Sequence, residues 1–149
     1  MRCTVPVTVD ALTPPFASKI AVLVRDDLAA WQRLNVTAFL VSAVTAAHPE
    51  LVGTEYQDAD GQHYLPMLGV PVLVFEGPGD VLAAARARAV QRGMPLAIYA
   101  REMFATGHDA DNRAAVRAFA GNDLDLVGIG MHGAKNAVDK VIKGARLHR

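Results

Sequence analysis

Hydrophobic and polar positions alternate in blocks from residue 17 to the end of the chain. Ile20 to Val24 is an unbroken aliphatic run, the pattern of a strand covered on both faces, and it predicts a central strand. Beyond Arg25-Asp26-Asp27, apolar residues Leu28, Trp31, Phe39, Leu40 and Val44 recur at helical spacing up to His48-Pro49. Asp27 can cap that helix; Asn35 ahead of Val36 and Thr37 is an alternative cap, with 28–34 as an irregular lead-in. Asp60-Gly61 between Tyr56 and Tyr64 predicts a hairpin. Asp58 and Asp60 suggest a calcium loop less well, because the glycine falls two positions early.

Val70 to Phe75 reads as a strand, Gly79 to Arg92 as an Ala-rich helix closed by Gly93, and Leu96 to Tyr99 as the next strand. Residues 102–108 form a loop or short turn and Asp109 to Phe119 a helix. Leu124 to Ile129 is a further strand, Ala134 to Ile142 a helix ending at Gly144, and Ala145 to His148 a short tail. Strands interleaved with helices predict an α/β three-layer sandwich on one open sheet, with its ligand site at strand ends. One domain, 17–149, follows an N-terminal arm, 1–16.

Composition narrows the partners. The 149 residues are 52% hydrophobic and carry 15 Lys+Arg against 15 Asp+Glu. That balance gives no basic footprint for nucleic acid and excludes a disordered chain. A single cysteine, Cys3, forms no internal disulfide, and neither a signal peptide nor a membrane span is expected, so the expected location is cytoplasmic.

Gly128-x-Gly130-x-x-Gly133 matches the dinucleotide fingerprint in spacing, but the required second half of the crossover is missing. The glycines read better as room for a close helix. Five dispersed histidines (His48, His63, His108, His132, His148) predict no metal site, and no cofactor is expected. The most chemistry-like stretch is Arg101-Glu102-Met103-Phe104-Ala105-Thr106-Gly107-His108-Asp109, which places acid, hydroxyl and imidazole at a strand exit. His108 as general base with Glu102 or Asp109 orienting it, and Thr106 as the nearby hydroxyl, form the candidate catalytic set. Asp109 can equally cap the helix that follows, with Asn112 assisting. Arg25, Asp27, Asn35, Thr37, Arg101 and Asn112 are the candidate ligand-binding residues, Arg25 as anchor of a small anionic ligand. Trp31, Phe39 and Phe104 read as core or interface anchors.

The runs KIAVLVRDDLAAWQRLNVTAFL, DADGQHYLPML, PVLVFEG, EMFATGHDADNR and NAVDKVIKGARLH resemble the bacterial family called domain of unknown function 2000. That family is similar in turn to type II peptidyl-tRNA hydrolases. Val24, Arg25, Asp27 and Leu28, then Ile129-Gly130, then Val138, Asp139, Lys140 and Val141 carry the likeness. It implies an α/β/α sandwich on a mixed four-stranded sheet, often dimeric, to which Asp60-Gly61 adds the small hairpin; a homodimer is expected, with Trp31, Phe39 and Leu40 giving one helix apolar surface for it. Three polar positions of the hydrolase site differ: Leu34-Asn35 replaces Gly-Lys, Arg101-Glu102-Met103 replaces Asp-Ala-Gly, and Asp125 replaces Thr. The resemblance therefore implies the fold with a rebuilt site. Two functions remain open, a hydrolase of a small substrate and a non-catalytic homodimeric binding or regulatory module; peptidyl-tRNA hydrolysis ranks last.

Overall fold

The computed structural model describes residues 17–149; the N-terminal arm, with Cys3, lies outside the described residues. Strand β1 (Ser18–Arg25) leads to helix α1 (Ala30–Ala47), the hairpin strands β2 (Tyr56–Gln57) and β3 (His63–Tyr64), and β4 (Val72–Gly77). Helix α2 (Gly79–Gln91), β5 (Ala97–Ala100), a 3-10 turn (Arg101–Ala105), α3 (Asp109–Arg117), β6 (Leu126–Ala134), α4 (Lys135–Val141) and β7 (Arg146–Leu147) complete the chain. The main sheet has the order β5-β6-β1-β4-β7. β1 runs parallel to β4 and antiparallel to β6.

The centre of the sheet is the aliphatic run, and its period-two alternation builds both cores. Ala21 and Leu23 pack with Leu82, Ala85 and Ala89 of α2 and Val138 and Val141 of α4. Val22 and Val24 face the other way, toward Val36 and Leu40 of α1. Three layers follow from that alternation.

The expected four-stranded sheet is corrected to five strands, because the supposed tail, Ala145 to His148, contributes β7. Gly144 turns the chain at φ 96, a left-handed conformation that glycine adopts without a Cβ penalty. Leu147 then pairs with Phe75 and Arg146 with Glu76, and the Arg146 Nε donates to Glu76 Oε1 at 2.9 Å. The Glu76 carboxyl is held below its usual range, first by that bond. β7 covers an edge that β4 would otherwise expose.

A second correction concerns the glycines, which lie inside β6 rather than in a turn after a shorter strand. A Cβ at Gly128 would meet Val36 Cγ1 at 2.4 Å and Leu40 Cδ1 at 2.8 Å, and one at Gly130 would meet Leu40 Cβ at 3.1 Å. The expected close helix approach is therefore present, with α1 seated on a glycine track in mid-strand. The β5–β6 register shifts between Tyr99 and Ala100, whose partners are Gly128 and Leu126. The extra residue, Val127, consequently joins the α1 core while Ile129 and Met131 join the α2 core, as a bulge requires.

Helix starts also move. α1 begins after Ala29, whose N–H donates to Gln32 Oε1 at 3.0 Å, so neither Asp27 nor Asn35 is its cap. α3 starts after His108, which makes no side-chain capping bond; Asp109 is its first residue and the helix stops at Arg117. The hairpin forms at Asp60-Gly61, with Tyr56 opposite Tyr64 and Gly61 at φ 84. Its Asp58 carboxylate accepts the backbone N–H of Asp60 and Gln62 at 2.9 and 3.0 Å and the Tyr64 hydroxyl at 2.7 Å. These bonds hold its pKa down, that from Tyr64 most, and engage both carboxylate oxygens within the hairpin.

Lys19 is buried on β1 and its Nζ lies 2.5 Å from Asp139 Oδ1 on α4. Removing only the carboxylate leaves an unpaired buried ammonium, so Asp139→Asn should destabilise by about 1–3 kcal/mol, below the fully buried case because Asp139 is half exposed. Lys19→Met combined with Asp139→Asn should recover most of that loss in urea denaturation.

Candidate functional site

The residues singled out at strand ends separate into two places. The first is a closed ion cluster beyond β1. Arg25 bonds Asp125 at 3.1 Å and Asp27 at 3.0 Å, while Arg101 bonds Asp125 at 3.0 Å and lies 3.5 Å from Asp27. Two guanidiniums face two carboxylates, so the formal charge cancels within the cluster. Gly79 makes space for it: a Cβ there would stand 2.8 Å from Arg25 Nη1. Arg25, expected as an anion anchor, is engaged as a strut between β1, the start of β6 and the 3-10 turn.

The second place is a cleft between α1 and the segment from the 3-10 turn into α3. It holds about 350 Å³ and is lined by Trp31, Asn35, Phe39, Tyr99, Phe104, Thr106, His108, Asp109 and Asn112, among others. Trp31, Asn35 and Phe39 share one helical face at successive i, i+4 positions, adjacent to the core row Val36, Leu40 and Val44. Trp31 is 62% and Phe39 56% exposed, so of the expected core and interface roles the core role does not hold, and both residues stand in the cleft wall. Tyr99 ties the wall together, with ring centroids 6.0 Å from Phe39 and 5.1 Å from Phe104, and Trp31 meets Phe104 edge-on at 5.8 Å. Such contacts fix ring orientation. Burial pushes the Tyr99 phenol up, with the neighbouring Asn35 side chain acting oppositely, so the phenol remains a neutral hydrogen-bonding group.

The polar side of the cleft is only partly committed. The Thr106 hydroxyl bonds Asn112 and the Met103 carbonyl, which occupies its proton within the chain. Asp109 pairs with Arg113 one turn along α3. His108 is exposed and has no orienting carboxylate among the described hydrogen bonds. Glu102, expected to orient it, is not part of the cleft wall, and its Oε2 is buried without a partner. Thr37 also stands apart, its hydroxyl donating to the Arg33 carbonyl at 2.7 Å. The cleft therefore unites Asn35, Thr106, His108, Asp109 and Asn112 and leaves out Arg25, Asp27, Thr37, Arg101 and Glu102. Its arrangement suits hydrogen bonding to a bound molecule better than proton transfer, because the acid–base–hydroxyl chain is not assembled.

The cleft continues into an open groove of about 600 Å³ between α1 and α3, floored by Ala97, Ile98 and Tyr99 of β5, with Val116, Arg113 and Arg117 on the α3 side. The sequence reading missed this part. Its signal was α3 itself, an amphipathic helix with no buried residue. Elsewhere, His132 on β6 meets His48 at a tilt, with centroids 4.7 Å apart, and its Nε2 is buried without a partner. Among the described residues no group of three His, Cys, Asp or Glu side chains is placed to hold a metal. Burial first, then the His48 charge, lowers the His132 pKa, with Glu50 opposing. Below the unfolded value of about 6.5 the unfolded chain takes up this proton and the folded chain does not. Stability from this group is thus complete above pH about 6.5 and falls as pH drops toward the lower folded pKa. In urea titrations across that window, His132→Gln should flatten the pH dependence; an unchanged slope would place it elsewhere.

Among the described residues no helix is long and apolar enough to cross a membrane. No curated protein matches the chain. A solved structure of a protein of unknown function from Agrobacterium tumefaciens is similar to it, with 42% sequence identity and a TM-score of 0.88, covering 90% of this chain and 99% of that one. The aliphatic central strand, glycine-tracked β6 and returning β7 thus sit within a chain whose residues 18–149 match one family model, and the protein belongs to that family, the proteins of unknown function DUF2000.

Proposed function

We propose that the protein is a binding module for a small organic ligand, held in the cleft between α1 and α3. The observation that carries this reading is the aromatic wall of Trp31, Phe39, Tyr99 and Phe104 standing beside Asn35, His108 and Asn112. Trp31 and Phe39 are more than half exposed, and large exposed aromatics facing a concave surface are costly to leave in water and are characteristic of recognition sites. A planar or aromatic group would stack on the wall, and the amides would read its polar edge. The hydrolase alternative lacks its assembled base and hydroxyl, and the likeness to type II peptidyl-tRNA hydrolases is offered for the fold alone.

Thermal shift against a metabolite library tests the reading. A true ligand raises Tm of the wild type, and Trp31→Ala should weaken its binding by about tenfold to a hundredfold, with little change in the stability of the free protein because Trp31 is mostly exposed. Equal stabilisation of both proteins by every hit would contradict the proposal.

A further inference from the structure

The groove beyond the aromatic wall carries backbone as well as side-chain information. β5 ends the sheet, and among the described residues its outer edge has no strand partner. The floor of the groove is that edge, Ala97 to Tyr99, and α1 and α3 line its two sides. α3 packs mainly on the 3-10 turn before it, which leaves the space beside β5 open. An unpaired edge beside an open groove can take an added extended strand. The chemistry differs between the two parts. Trp31, Asn35 and Phe104 line the cleft, which reaches Tyr99 but not Ala97; Ala43, Val116 and Arg117 line the groove, which extends to Ala97. Arg113 is paired with Asp109, whereas Arg117 has no ion-pair partner among the described residues and is left as the cation of the groove.

We propose that the cleft and groove together take a short extended peptide with a free C-terminal carboxylate. The peptide backbone pairs antiparallel with the outer edge of β5. An aromatic side chain of the peptide enters the Trp31–Phe104 end, and the carboxylate reaches Arg117. The four-residue edge spans about 13 Å, so a tetrapeptide connects the two ends. This rests on the cleft being a ligand site and names its ligand class.

Trp31 is the only tryptophan and lies in the wall, so its emission reports occupancy. The probes are N-acetyl-Phe-Val-Ser-Val with a free carboxylate, the same peptide amidated, the same peptide N-methylated at alternate residues, and indole and phenylacetate as small aromatics. The free-acid peptide should change Trp31 emission saturably. Amidation should weaken it about tenfold, as the loss of one charge-assisted contact implies, and N-methylation by tenfold or more through lost edge bonds. Arg117→Glu, at an exposed position, should weaken the free acid and abolish its advantage over the amide. Equal binding of the N-methylated peptide would overturn the edge pairing. Response to indole or phenylacetate without response to any peptide would overturn the peptide proposal while leaving the small-ligand site standing; no response to any probe would likewise overturn the peptide proposal, the small-ligand site being tested by the thermal-shift screen. Light scattering that showed a dimer dissociated by Ile98→Lys would assign the edge to a second copy and overturn the proposal as well.

Discussion

Gly128→Ala should lower stability by about 3 kcal/mol, and Gly128→Val should leave little folded protein, because overpacking here acts on two seated side chains at once. The added Cβ would lie well inside contact distance of both Val36 and Leu40, and these are fully buried residues of the α1 core. Relief would require α1 to lift from β6, which would open the core of that face and tilt the helix that bears Trp31 and Phe39. Gly107→Ala is the control: a Cβ there has nothing within 4 Å, and its effect should stay within about 0.5 kcal/mol. Urea midpoints of the three variants measure the difference; a Gly128→Ala protein as stable as wild type would mean that α1 does not rest on the strand in this way.

The purified protein should hydrolyse peptidyl-tRNA at least about a hundredfold more slowly than a type II enzyme, the scale of losing one preorganised electrostatic contact. Its neutral Asn35 stands where the resemblance places a lysine, and Asn35 faces Tyr99 in the aromatic cleft. Arg101 and Asp125, at the other two differing positions, bond each other at 3.0 Å. Because those two residues are consumed in the ion cluster with Arg25 and Asp27, Asn35→Lys alone should not restore activity. Losses at such coupled positions are not additive, so no multiplied figure follows. Turnover by the unmodified chain comparable to that of a type II enzyme, in a gel assay of deacylation, would contradict this.

The central strand and the hairpin were legible because each is encoded locally, by five consecutive aliphatic residues and by Asp60-Gly61. β7 was not. Arg146-Leu147 has no strand pattern of its own and becomes one only against Glu76 and Phe75, about seventy residues earlier. Gly128 and Gly130 hid the second half of β6, since glycine weakens a strand pattern and its purpose here is set by the opposing helix. The site divided for a related reason. Asn35, Thr106, His108 and Asn112 came together because α1 and the 3-10 turn both bound one cleft. Arg25 and Arg101 were drawn off by Asp125, whose distance in sequence conceals the pairing. Trp31 and Phe39 read as core or interface anchors by residue type; the offset of Asn35 and Phe39 by one residue from Val36 and Leu40 was the available sign that this row lies outside the core.

Amide NMR locates the ligand site residue by residue, through the backbone, indole and side-chain amide signals followed while a thermal-shift ligand is titrated in. The Trp31 indole N–H, the Asn35 and Asn112 side-chain amides, and the backbone of Ile98 and His108 should shift together with one saturation curve. Shifts confined to the Arg25–Asp27–Arg101–Asp125 cluster or to the His48–His132 pair, with Trp31 and Asn112 unmoved, would contradict a ligand site in the cleft.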